Sequence, residues 1–116
     1  MKLIADVAIV LVALLHLYFL VLEMFLWTKP TGRRVFGLSA EFVLASKALA
    51  ANQGLYNGFL AAGLLWGVID GLAAFKLFFL GCVIVAGVFG SITVNRRILY
   101  VQSLPAVLVL ALVLLS

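Results

Sequence analysis

Four long apolar runs, separated by three short polar or turn-forming clusters, constrain this chain more than any other feature. The first covers residues 3–27, and only Asp6, His16 and Glu23 interrupt it with a charge or an imidazole. It ends at Thr28-Lys29-Pro30-Thr31-Gly32, where proline and glycine stop a helix, and Arg33 and Arg34 follow. The second covers residues 41–67, with Ser39 placed as its N-cap and Glu41 in its first turn, where a carboxylate suits the positive end of the helix dipole. Asp70-Gly71 is a turn signal. The third run covers residues 72–94 and stops at Asn95-Arg96-Arg97, and the fourth covers residues 98–116.

A helix needs ~20 mostly apolar residues to cross a bilayer. All four runs suit that length, provided the fourth begins near Ile98 rather than at Pro105. Pro105 is then inside a helix and is expected to kink it, with Gln102 or Ser103 satisfying the freed backbone groups. The chain is 67% hydrophobic and 10% charged. A soluble domain carries about 25% charged residues, so water cannot clothe this surface but lipid can. The expected fold is all-α: an integral-membrane four-helix bundle, up-down-up-down, forming one domain over residues 1–116. No length remains for a soluble domain. Lys2 followed by an apolar stretch imitates a signal peptide, but no small-x-small cleavage site follows, and the first run reads as a retained span.

The formal charge of +4 does not mark a nucleic-acid binder, because the basic residues sit in short clusters between apolar runs. There they act as orientation signals. Lys29, Arg33, Arg34, Arg96 and Arg97 outweigh Lys2 and Lys76, which places the first and third loops in the cytoplasm and both termini outside. Asp6 and Asp70 then fall near the outer surface and read as solvated. The lone Cys82 excludes an internal disulfide and reads as a small buried hydrophobe.

Polar groups within a span are costly and face the bundle interior or a functional site. His16 and Glu23 are seven residues apart, nearly two helical turns, and project from one face. The second run carries Lys47, Asn52, Gln53, Tyr56 and Asn57. Beside them Ala50, Gly54, Gly58 and Ala62 repeat every fourth position, a small-residue ridge that lets another helix approach. Gly81, Ala86, Gly87 and Gly90 make the third run a second close-packing helix.

Measured from the cytoplasmic ends of the first two runs, His16 and Gln53 lie ~16–18 Å deep, Glu23 ~6 Å and Lys47 ~9 Å at 1.5 Å per residue. Two layers are therefore expected: a neutral one joining His16 to Gln53 or Asn57, and a charged one pairing Glu23 with Lys47. Thr93 and Asn95 are placed within reach of the charged layer. A charged carboxylate in hydrocarbon costs at least ~2.5 kcal/mol, so pairing, protonation or water must relieve Glu23. Each polar residue carries two readings. Glu23 is either half of a register-fixing ion pair or a proton or ligand site. His16 is either an interhelical hydrogen bonder or a proton-exchange or ligand group. The amides are either interhelical glue or ligand contacts.

One histidine and one glutamate do not make a usual metal site, and no phosphate-binding glycine loop or hydrolase motif is present, so no metal and no cofactor is expected.

The strings His16-Leu17-Tyr18-Phe19-Leu20-Val21-Leu22-Glu23-Met24-Phe25-Leu26-Trp27, Phe36-Gly37-Leu38 and Ala50-Ala51-Asn52-Gln53-Gly54-Leu55-Tyr56-Asn57-Gly58-Phe59-Leu60-Ala61-Ala62-Gly63-Leu64 resemble a family of small bacterial membrane proteins known as domain of unknown function 1304. The likeness covers essentially the whole chain. It implies a four-helix protein of the bacterial cell (inner) membrane and implies no activity.

Three functions fit these residues. The first is a bundle that binds or helps transport a small molecule or proton, working as a homo-oligomer in the bilayer. The second is a membrane-embedded enzyme acting on a lipophilic substrate, with His16 and Glu23 exchanging protons. The third is an accessory subunit whose polar cluster only fixes helix packing.

Overall fold

A computed structural model describes all residues, Met1–Ser116. The chain is helical throughout and has no strand: α1 (Lys2–Met24), α2 (Pro30–Phe36), α3 (Ala40–Ala45), α4 (Lys47–Ile69), α5 (Ala73–Thr93), a π-helical turn (Leu99–Ser103) and α6 (Leu104–Leu115). α1 and α5 are long and apolar enough to cross a membrane. Only 28% and 22% of their most apolar stretches are buried, so neither is a core helix wrapped by the rest of the chain.

The helix ends have local causes. Pro30 opens α2 at a position where its missing N–H costs nothing, and Gly37 closes it in the left-handed conformation at φ 65°. Ser39 caps α3, its hydroxyl accepting from the Phe42 N–H at 3.2 Å. Ser46 then separates α3 from α4. Its hydroxyl donates to the Phe42 carbonyl at 2.6 Å, four residues back, and accepts from Trp27 Nε1 at 3.1 Å. Such back-bonding bends helices. The backbone bonds Ser46 to Phe42 and Ala50 to Ser46 persist across the bend. Gly71, at φ 63°, makes the α4–α5 turn, with the Leu72 N–H returning to the Gly67 carbonyl.

Residues 30–45 thus form two short helices rather than a loop followed by the start of a long helix, and the long α4 begins at Lys47. The segment around Pro105 also differs from expectation. A proline lacks the N–H that would bond the carbonyl four residues back, and its ring crowds that carbonyl. The backbone answers by widening into the π-helical turn just before α6. Ser103 does not cap the freed groups; its hydroxyl donates instead to the Ile84 carbonyl of α5 at 2.8 Å.

Two compact units divide the chain. One comprises Met1–Ala13 and Ala62–Ser116, the other Leu14–Ala61. In the first, α5 packs against the π-helical turn and α6. Gly87 permits this: a Cβ there would lie 2.1 Å from Ser103 Oγ. Gly63 seats the Phe79 ring in the same way. In the second, the C-terminal part of α1 packs against the first turns of α4, and Gly32 brings α2 onto the Leu26 carbonyl.

Candidate functional site

The polar centre of the Leu14–Ala61 unit is one hydrogen bond. Asn57 Nδ2 of α4 donates to Glu23 Oε1 of α1 at 2.5 Å. Glu23 is half-buried and Asn57 is 5% exposed. Gly54 makes this closeness possible: a Cβ there would meet Met24 Cγ at 2.6 Å, and Glu23 Cβ and the Leu20 carbonyl oxygen at 3.2 Å. One turn on, Gly58 abuts the Leu20 side chain.

The expected partner of Glu23 was Lys47. The structure pairs Glu23 with Asn57 instead, and Lys47 is exposed at the start of α4. The cause is register. Counting depth from Glu41 treats residues 41–46 as part of one straight helix, but they belong to α3 and the Ser46 bend. Glu23 is therefore level with Gly54 and Asn57, two turns or more further along than Lys47.

The face of α4 that meets α1 also differs from the four-residue ridge read in the sequence. Ala50, Gly54, Asn57 and Ala61 are buried, Gly58 is half-buried and Ala62 is exposed. Steps of four residues drift by about 40° each at 100° per residue, so a ridge from Ala50 has turned about 120° away by Ala62. Alternating steps of four and three stay on one side. That alternation places Asn57 in the seam and leaves Asn52, Gln53 and Tyr56 on the exposed side.

His16 is completely buried and meets Phe19 edge-on, with ring centroids 5.5 Å apart. No buried side-chain nitrogen or oxygen lacks a partner, so the imidazole is satisfied. Gln53, offered as a partner for His16, is exposed, and Asn57 is taken by Glu23. Thr93 and Asn95 do not join a charged layer. Thr93 Oγ1 donates to the Phe89 carbonyl, and Asn95 Oδ1 accepts from the Arg97 N–H.

A charged pair does exist, in the other unit. Lys76 Nζ of α5 lies 2.7 Å from Asp6 Oδ1 of α1, with the two side chains 7% and 19% exposed. Asp6 reads as solvated in the sequence because it falls near the outer surface; the signal missed is an opposite charge near the start of a second apolar run. Asp70 accepts from Trp66 Nε1 at 2.7 Å. No three His, Cys, Asp or Glu side chains gather as a metal site would require. An open cavity of about 320 Å³ lies over α2, lined by Pro30, Arg33, Arg34, Gly37 and Leu38, and includes none of the polar residues singled out in the spans.

The profile of a family described as "Protein of unknown function (DUF1304)" matches residues 10–114. The chain belongs to the DUF1304 family. The match contains His16, Glu23, Lys47, the amides and Lys76, while Asp6 lies just before it. The chain is also similar to the uncharacterized protein YpaA of Lactococcus lactis subsp. lactis (strain IL1403), at 32% identity over 114 residues, 95% of this chain and 96% of that protein. No solved structure matches.

Chemically, the Glu23–Asn57 arrangement is a carboxylate held by a neutral donor. An amide gives the carboxylate a hydrogen bond but no compensating charge. The remaining carboxylate lone pairs are free to accept a proton or a donor from a bound molecule.

Proposed function

We propose that this DUF1304 protein is an integral membrane protein that binds, or helps to transport, a small molecule or proton at Glu23. The observation that carries the reading is that Glu23, in a membrane-length apolar helix, is held by Asn57 and not by a cation. An ion pair would neutralise the charge and leave a structural strut. An amide leaves the charge to be balanced by a proton or a cationic group. His16, buried in the same unit, is the further candidate for the proton-linked site, while Lys47, Asn52, Gln53 and Tyr56 lie exposed on α4.

The membrane reading rests on α1 and α5, whose apolar side chains are mostly uncovered. Val85, Phe89 and Ile92 of α5 are 68%, 67% and 79% exposed. Water would penalise each of these side chains and lipid does not. In this reading α1, α4, α5 and the π-turn with α6 cross in alternate directions as a four-helix membrane bundle. The first and third loops are cytoplasmic and both termini lie outside, in a bacterial cell (inner) membrane. α2 and α3 lie along the cytoplasmic interface, with Arg33 and Arg34 toward lipid headgroups. The ion pair between Asp6 of α1 and Lys76 of α5 supports α1 as a retained helix, because it gives the first turns of the chain a partner inside the fold.

The test is reconstitution into vesicles containing a pH-sensitive dye. Proton movement, or a cation-dependent rise in melting temperature, is expected for the wild type and lost in Glu23→Gln, which keeps the shape and a hydrogen-bonding side chain. If Glu23→Gln matches the wild type in both assays, the polar centre only fixes packing.

A further inference from the structure

We infer that the outer face of α4 is a self-association surface, and that its occupant is the same face of a second copy of this chain. The face consists of Leu49, Asn52, Gln53, Tyr56 and Phe59, all exposed. At 100° per residue these five fall within an arc of about 120°, centred about 130° around the helix from the seam that meets α1, with Gln53 at the edge nearer that seam. Asn52, Gln53 and the Tyr56 hydroxyl take part in none of the side-chain hydrogen bonds of the fold. The Tyr56 ring is braced instead by Phe59, edge-on at 5.7 Å between centroids.

This inference rests on the membrane reading. In water, exposed amides need no explanation. In hydrocarbon, two adjacent primary amides are unsatisfied donors and acceptors, and lipid tails offer them nothing. The other exposed faces differ. Val85, Phe89 and Ile92 of α5, and Leu108 and Leu114 of α6, are purely apolar, and lipid satisfies them.

The chemistry selects the occupant. An amide carries both donor and acceptor, so a stripe of amides is complementary to itself. A two-fold axis along the face sets Asn52 and Gln53 of one copy against the same residues of the other, each donating and accepting. The stripe carries no charge to repel its image. Leu49 and Phe59 flank the amides on either side along the helix, as apolar residues flank the buried polar position that sets partner and register in a coiled coil.

Three measurements test it. The wild type, extracted from membranes and held in micelles, is expected to have the mass of a dimer by light scattering after subtraction of bound detergent. Asn52→Leu/Gln53→Leu is expected to weaken the dimer by about tenfold or more, since each interhelical amide bond contributes a modest share of helix association. In a Cys82→Ala background, Leu49→Cys or Phe59→Cys is expected to cross-link under mild oxidation in native membranes, while Leu108→Cys on α6 is not. A monomer in micelles together with equal cross-linking from all three positions overturns the interface and leaves the membrane reading standing. Recovery of the wild type in the soluble fraction overturns both.

Discussion

Asn57 holds Glu23 across a helix contact that Gly54 makes close enough for a direct bond. The three residues act as one device: the glycine sets the approach, the amide supplies the donor, and the carboxylate is left without a cation. Asn57→Leu removes the donor and leaves the half-buried carboxylate short of a partner. It is expected to destabilise the fold by about 1–3 kcal/mol, measured by thermal unfolding in detergent. Glu23→Leu/Asn57→Leu should recover most of that loss, because neither group is then stranded.

Gly54→Val tests the approach itself. The added carbon would meet Met24 and Glu23 closer than contact distance. Overpacking of this kind costs about 1–3 kcal/mol. Gly81 is the matched control, since a Cβ there meets nothing within 4 Å. Gly81→Ala should be neutral or stabilising by up to about 1 kcal/mol, because alanine loses less backbone freedom in a helix. Equal loss at both positions would contradict the packing described for Gly54.

The second tight approach is Gly87 against Ser103. Gly87→Ala should lower the melting temperature sharply, as its Cβ would overlap Ser103 Oγ and crowd the Ser103 backbone nitrogen at 2.9 Å. Adding Ser103→Ala should restore only part of the loss, because the backbone contact remains. Full restoration would mean that the π-turn backbone lies further from α5 than described.

Asp6 and Lys76 form a largely buried ion pair. Removing one partner from such a pair typically costs about 3–5 kcal/mol, while removing both is far milder. Lys76→Met should therefore destabilise strongly, and Asp6→Leu/Lys76→Met should recover much of the loss. A double-mutant cycle in which the two losses simply add would show that the side chains do not interact.

The helical character, the turn at Asp70-Gly71, the end of α5 near Asn95 and a cap at Ser39 were legible in the chain itself, although α1 ends at Met24 rather than Trp27 and Ser39 caps the short α3 rather than the long α4. Each depends on residues within a few positions of one another: a proline at the start of a helix, a hydroxyl three residues before an amide, a glycine with positive φ. Family membership was legible for the same reason, since the strings around Glu23 and Asn57 stand in the sequence directly.

What the sequence alone determined is therefore local: helix type, helix ends and which residues are polar within apolar runs. The tertiary structure decided the register between helices. One serine at position 46, bonded back to Phe42 and across to Trp27, bends the chain, and α4 starts at Lys47 rather than at Glu41. Such a six-residue change in where a helix starts moves every level along it by ~9 Å. The levels counted in sequence therefore offered Lys47 to Glu23, whereas packing brought Asn57. The same dependence hid the Asp6–Lys76 pair, which joins residues 70 positions apart. Side-chain spacing specifies a face, but only the contact between helices specifies what that face meets.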